Sequence, residues 1–115
     1  MTTAILPGRI SVDAARELVG TAAFLDVRED HEIESGMIPC AKWIRLGELE
    51  DRLSEVPRSD SGRLVIVCAA GRRSLHATLV LRQAGRMDAQ SMDGGMTAWM
   101  GRGFPVEPPT KDDRA

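Results

Sequence analysis

The 115-residue chain reads as an α/β protein, a parallel sheet flanked by helices on both faces. Three observations predict this class. Leu64-Val65-Ile66-Val67 is a continuous β-branched run of the kind found where a strand is covered on both faces. Shorter apolar runs at Ala23–Val27, Ala41–Leu46 and Ala89–Met92 alternate with helical patterns, and strand–helix alternation builds parallel sheets with right-handed crossovers. The length suits one domain, which buries roughly two thirds of its unfolded surface without disulfides or a metal.

In chain order, Ser11 caps a helix reaching Val19, with Asp13 in its first turn and Gly20 at its end. Ala23-Phe24-Leu25-Asp26-Val27 follows as a strand, and a shorter one runs from Ala41 to Leu46. Leu46, Leu49 and Leu53 fall at helical spacing among charged residues until Pro57 stops the pattern. After the Leu64–Val67 strand, a helix from Arg73 is expected to carry Leu75, Leu79 and Ala84 inward and to end at Gly85. A weak strand over Ala89–Met92, the pair Gly94-Gly95 and a short helix over Thr97–Met100 complete the pattern. Residues 5–107 form the expected domain, and the proline-rich, then charged residues 108–115 a flexible tail.

Composition excludes several classes of function. A net charge of -2 gives no basic surplus for nucleic acid or anionic membranes. The amino terminus has neither a signal-peptide pattern nor an amphipathic basic helix, and no apolar stretch reaches spanning length. Two cysteines without framework spacing fit a reducing compartment, and the cytoplasm is the expected location.

The chemistry concentrates in Cys68-Ala69-Ala70-Gly71-Arg72-Arg73-Ser74. In open parallel sheets ligands sit beyond the carboxyl ends of strands, and Cys68 ends the most buried one. A cysteine is a nucleophile as thiolate, and helix N-termini and adjacent cations bring its pKa down to about 3.5–7.5. Ala69, Ala70 and Gly71 let the backbone wrap closely, so successive amides converge on one anion. Arg72 and Arg73 add guanidinium charge, and the helix that starts beside them adds its dipole. The competing reading of such a cysteine, a small buried hydrophobe, does not account for the glycine, the arginines and the helix start together.

This loop resembles that of rhodanese-type sulfurtransferases, commonly C-x-x-G-x-R-S. Four further segments agree in order: Leu25-Asp26-Val27-Arg28-Glu29, Gly36-Met37-Ile38-Pro39-Cys40-Ala41, Leu46-Gly47-Glu48-Leu49, and Asp93-Gly94-Gly95-Met96-Thr97-Ala98-Trp99 with Gly103-Phe104-Pro105-Val106. The resemblance runs from about Ile10 to Glu107 and implies a single domain with a five-stranded parallel sheet. It also implies that Cys68 takes a sulfane sulfur from a donor such as thiosulfate, becomes a persulfide, and passes the outer sulfur to cyanide or a thiol. Residues Ala69 to Arg73 would cradle the anion, Arg73 would grip its charged end, and Ser74 would cap the helix or donate to the sulfur. No cofactor or metal is implied. The expected partners are a small sulfur-donor anion, a thiol or cyanide acceptor, or a sulfur-accepting protein, with the chain a monomer or weak homodimer. The alternative is a binding or redox-sensing module without turnover, or a sulfur shuttle to a partner protein.

Loop length argues against the cysteine phosphatases, whose H-C-x-x-x-x-x-R loop is one residue longer. Here Val67 precedes the cysteine and Ser74 stands where that arginine would fall. Mercaptopyruvate-using relatives tend toward C-G-[SA]-G-V-T, and the cationic Arg72-Arg73 pair favours thiosulfate instead.

Asp26 and Arg28 open the second strand toward this edge and are expected to support the loop through ion pairs rather than to react. Cys40 stands where the family usually has Gly, and Met37 where His is usual. A disulfide between Cys40 and Cys68 is not expected. Cys40 enters a strand and Cys68 leaves one; four strand residues span about 13 Å, against the roughly 7 Å between Cα atoms that a disulfide allows. Cys40 is read as a packed or half-exposed thiol. His31 and His76 have no metal-ligand spacing and read as solvated or packed. Trp43 and Trp99 read as core or partner-facing.

Overall fold

The computed structural model describes residues 6–114; Ile5, the first residue of the expected domain, and Ala115, the last of the expected tail, lie outside the described residues. Five parallel strands form one sheet: β1 (Arg9–Ile10), β2 (Ala23–Asp26), β3 (Lys42–Trp43), β4 (Leu64–Val67) and β5 (Ala89–Met92), in the spatial order β1-β5-β4-β2-β3. Register is set at the centre, where Leu25 pairs with Ile66 and Ile66 with Ser91. The helices are α1 (Val12–Glu17), α2 (Asp30–Ile33), α3 (Arg72–Gln83), α4 (Gly95–Gly101) and a single turn, α5 (Lys111–Arg114), within the expected tail. Among the described residues no helix is long and apolar enough to cross a membrane.

Alternation along β4 divides the core into two layers. Leu64, Ile66 and Cys68 share one face with Leu25, Val27, Ala89, Ala77 and Leu81. Val65 and Val67 share the other with Phe24, Ile10, Met92, Met96 and Trp99. Both faces of β4 are therefore covered, as its unbroken apolar run requires, and Cys68 falls on the α3 side.

Several elements differ from expectation. In α3 the inward residues are Ser74, Ala77, Thr78 and Leu81, whereas Leu75 and Leu79 are 38% and 58% exposed. The helix carries two i, i+4 stripes one residue apart, and the one with the smaller Ser74 and Thr78 faces the sheet. The segment after β3 is not an α-helix but two 3-10 segments, Leu46–Glu48 and Glu50–Glu55, kinked at Arg52 (φ -124°, ψ 28°). Leu49 is its buried anchor. The short α2, within a stretch that reads only as charged loop, is held by the Glu29 amide donating to Glu32 Oε1 at 2.9 Å. The chain after α4 returns as a strap: Met37 and Glu107 exchange amide–carbonyl bonds of 2.7 and 2.8 Å, and Trp99 Nε1 donates to the Pro105 carbonyl.

Candidate active site

Past Val67 the chain leaves the sheet, and its next four residues wrap back before α3 begins. Gly71 makes the turn with φ 100°, in the left-handed region, and a Cβ there would stand 3.3 Å from the Gly94 nitrogen. Glycine alone takes this conformation without strain while letting the backbones approach so closely. The turn delivers the Gly71 amide to Cys68 Sγ at 3.0 Å. The first turn of α3 places Ser74 Oγ 3.3 Å from the same sulfur. Ser74 is fully buried; its hydroxyl lies 2.7 Å from Ser91 Oγ on β5, and its carbonyl accepts from Thr78 Oγ1 at 2.7 Å.

The loop is also tied to α4. Met96 N donates to the Cys68 carbonyl at 2.8 Å, and Thr97 N to the Ala69 carbonyl at 3.0 Å. Gly95, at φ 55°, lies so near the loop backbone that a Cβ would press on the Cys68 carbonyl and stand 2.6 Å from the Ala69 oxygen. The Gly94-Gly95 pair thus lets one loop of backbone rest directly on another.

Two opposing influences act on the thiol. Cys68 is 1% exposed, and burial pushes its pKa up. The Ser74 hydroxyl and the amides of Ser74, Gly71 and Ala70 all favour the anion, and together they win, leaving the thiol below its ordinary value. The sequence-based expectation of converging amides and a helix start at the sulfur matches this geometry. Its expectation that Arg73 faces an arriving anion meets a different arrangement. Arg73 forms a bidentate pair with Glu32 of α2, at 2.6 and 2.8 Å. This bond, ahead of the other influences on it, holds the Glu32 carboxyl at about 2 and raises Arg73. Arg72 and Ala70 are exposed, and Ala69 is half-buried.

Asp26 and Arg28 form a buried pair one strand away. Arg28 Nη2 lies 2.8 Å from Asp26 Oδ2 and 2.7 Å from the Gly36 carbonyl, and Nη1 donates to the Glu32 carbonyl. A single guanidinium thereby ties the end of β2 to the last turn of α2, which carries the Glu32 partner of Arg73, and to the Gly36 turn that follows it. A cavity of about 340 Å³ opens beside Ala69, lined by His31, Glu32, Ser35, Thr97, Met96 and Met100, with Arg28 at its edge.

The remaining singled-out residues lie outside this constellation. Cys40 is an exposed free thiol at φ 70°, the one non-glycine with positive φ among the described residues. That conformation explains why glycine suits the position. Lys42, two residues on, pairs with Leu25 and so lies level with Ile66, which sets Cys40 toward the opposite end of the sheet from Cys68. His31 and His76 are exposed. Trp43 Nε1 donates to the Arg28 carbonyl, and Trp99 is fully buried.

Sequence reasoning passed over Glu32 and Ser91. Glu32 had a signal, standing three residues after Glu29 as a capping-box partner does. So did Ser91, a polar residue in the short strand Ala89-Gln90-Ser91-Met92, where burial demands a hydrogen-bond partner.

A family model described as "Rhodanese-like domain" matches residues 11–102. The chain is 35% identical over 85 residues to a protein of Allochromatium vinosum named sulfurtransferase, covering 74% of this chain and 78% of that one. It is 31% identical over 105 residues to human thiosulfate:glutathione sulfurtransferase, covering 79% and 91%. The crystal structure of a rhodanese-related protein from Thermoplasma volcanium superposes with a TM-score of 0.75 at 25% identity, covering 86% of this chain and 96% of that one. The sheet order, the cysteine cradle between β4 and α3, and the matched residues 11–102 agree, and the chain belongs to the rhodanese-like family.

Proposed function

We propose that the protein is a sulfurtransferase that carries sulfur as a persulfide on Cys68. The observation that carries this reading is the cradle itself: Gly71 N at 3.0 Å and Ser74 Oγ at 3.3 Å from a sulfur whose pKa is lowered despite burial. The thiolate attacks the outer sulfur of thiosulfate; the S–S bond of the donor breaks, sulfite leaves with its electron pair, and Cys68 holds a persulfide. Cyanide or a thiolate then attacks the outer persulfide sulfur, taking it as thiocyanate or a new persulfide and returning Cys68 as thiolate. The net charge of the carrier is the same before and after loading, so one set of donors serves both states. The step needs no general base, cofactor or metal. The relatives named as sulfurtransferases support the reaction class, and two free cysteines agree with a reducing, cytoplasmic setting.

A tightly enclosed sulfur favours a donor whose reacting atom protrudes, as in thiosulfate, over a bulky one. The exposed Arg72, Leu75 and Leu79, which run along α3 from the loop, support a second reading, in which the persulfide is handed to a docked protein.

The test is to incubate the protein with thiosulfate, follow one added sulfur on Cys68 by intact mass, then add cyanide and measure thiocyanate, with Cys68→Ser as control. Loading with no release supports a sensor or shuttle; no loading from any sulfane donor refutes the proposal. Arg73→Ala is expected to raise the KM for thiosulfate. Because that change also leaves Glu32 unpaired beside an anion site, Arg73→Ala/Glu32→Gln is the decisive comparison, and an unchanged KM there removes Arg73 from donor binding.

A further inference from the structure

We propose that Ser91 is a positioning residue of this site, whose hydroxyl, acting through Ser74, keeps the Cys68 sulfur in its anionic form. The inference rests on Cys68 being the reacting group and goes beyond it by assigning a role to a residue that does not touch the sulfur. Three buried polar atoms stand in a row: Ser91 Oγ, 2.7 Å to Ser74 Oγ, then 3.3 Å to Cys68 Sγ. Ser91 and Ser74 are 1% and 0% exposed. Among the described residues Ser74 Oγ is the hydrogen-bond partner of the Ser91 hydroxyl.

Each hydroxyl has one proton to donate, so the row can be ordered in few ways. If the thiol donates to Ser74 and Ser74 to Ser91, the Ser91 proton is left buried without an acceptor, an arrangement that native interiors avoid. If a neutral thiol accepts from both Ser74 and Gly71, two donors are spent on a weak acceptor. Only with a thiolate does every proton find a strong acceptor: Ser91 donates to Ser74, and Ser74 and the Gly71 amide donate to S⁻. Ser91 thus orients the Ser74 proton toward the sulfur, and polarisation along the row strengthens that last bond by about 10–30%.

Strand register makes this work. Ser91 pairs with Ile66, whose side chain shares a face with that of Cys68 two residues on. Of the charged groups around the sulfur, Arg73 acts on it by charge alone and the others are engaged elsewhere. On α3, Arg73 pairs with Glu32 of α2 and also feels the charge of Cys68 and of Glu29; Arg72 is exposed. Asp26 and Arg28 beyond β2 bind each other, and Asp93 after β5 binds Arg9 at 2.7 Å. The residues of α4, Gly-Met-Thr-Ala-Trp-Met-Gly, carry no charge.

The experiment measures the rate of iodoacetamide alkylation of Cys68 against pH, resolved by peptide mass, with no sulfur donor present. Ser91→Ala is expected to move the midpoint upward, lowering the thiolate fraction on the acid side about threefold. Ser91→Thr, which keeps a hydroxyl on Cβ, is expected to titrate as wild type. In a Ser74→Ala background, Ser91→Ala is expected to add nothing. An unmoved midpoint in Ser91→Ala, a Ser91→Thr shift as large as that of Ser91→Ala, or a full Ser91→Ala shift without Ser74 overturns the proposal. Should Ser91→Ala fail to fold, Ser91→Cys, with its weaker donor, must shift in the same direction or the proposal fails. Because the titration reads charge alone, a low wild-type midpoint with no sulfur loading would refute the proposed function and leave the role of Ser91 standing.

Discussion

Replacing Ser74 by alanine separates the two influences on the sulfur, since burial raises the pKa of Cys68 and hydrogen bonds lower it. Ser74→Ala removes the hydroxyl 3.3 Å from Sγ and leaves the Gly71 amide at 3.0 Å, along with the burial. A hydrogen bond to a charged group contributes about 1.5–3 kcal/mol. At about 1.4 kcal/mol for each factor of ten in the ionisation equilibrium, losing it moves the Cys68 pKa upward by an amount the assay reads as a fold-change in thiolate. The direction follows from the thiolate being the form that loses its donor. At a fixed pH on the acid limb the thiolate fraction should fall about 10- to 100-fold, and the single-turnover rate of sulfur loading with it. At alkaline pH, where both proteins are ionised, the rates should converge. The assay is the pH profile of Cys68 alkylation, run beside single-turnover loading from thiosulfate. The variant also orphans the buried Ser91 hydroxyl, costing about 1–3 kcal/mol of stability, so both are measured well below its melting temperature. A midpoint that stays put or moves down would show that Ser74 does not support the thiolate.

Three further outcomes are expected. Glu32 is held at about 2 in the folded protein, below its ordinary value, so its stabilising contribution is present above the unfolded pKa of 4.5 and is lost as pH falls from there toward 2. With both side chains partly in solvent the contribution is about 1 kcal/mol, and urea midpoints of wild type and Glu32→Gln should converge across that window; parallel curves would contradict the pairing. Gly95→Ala would drive a methyl into the Cys68 and Ala69 backbone at φ 55°, so a stability loss of about 2–4 kcal/mol and a displaced, slowly loaded Cys68 are expected from thermal melts and loading kinetics. Cys40→Gly relieves the left-handed strain at φ 70° on an exposed residue and should raise stability by about 0.5–1 kcal/mol in urea unfolding, with sulfur loading unchanged.

The chain announces its central strand and its reactive loop because each is written in contiguous residues. Four apolar residues in a row make β4, and Cys68 through Ser74 hold the nucleophile, the left-handed turn and the helix start within one short reach of backbone. Local chemistry suffices there, and it also implied that the thiol would be surrounded by amides. Tertiary packing decided what depends on neighbours distant in the chain. Which stripe of α3 turned inward was settled by packing on the sheet, and Leu75 and Leu79 stayed outside although their spacing suited a core. The two-residue β1 exists as a strand through its pairing with β5, too short for any periodicity of its own. Arg73 read from sequence as the grip on an arriving anion's charged end, and Glu32, 41 positions away, takes both its outer nitrogens. Ser91 gained its place beside Ser74 through parallel pairing of β5 with β4. Side-chain charge and backbone freedom are properties of a residue, whereas the partner that neutralises or orients it is a property of the fold.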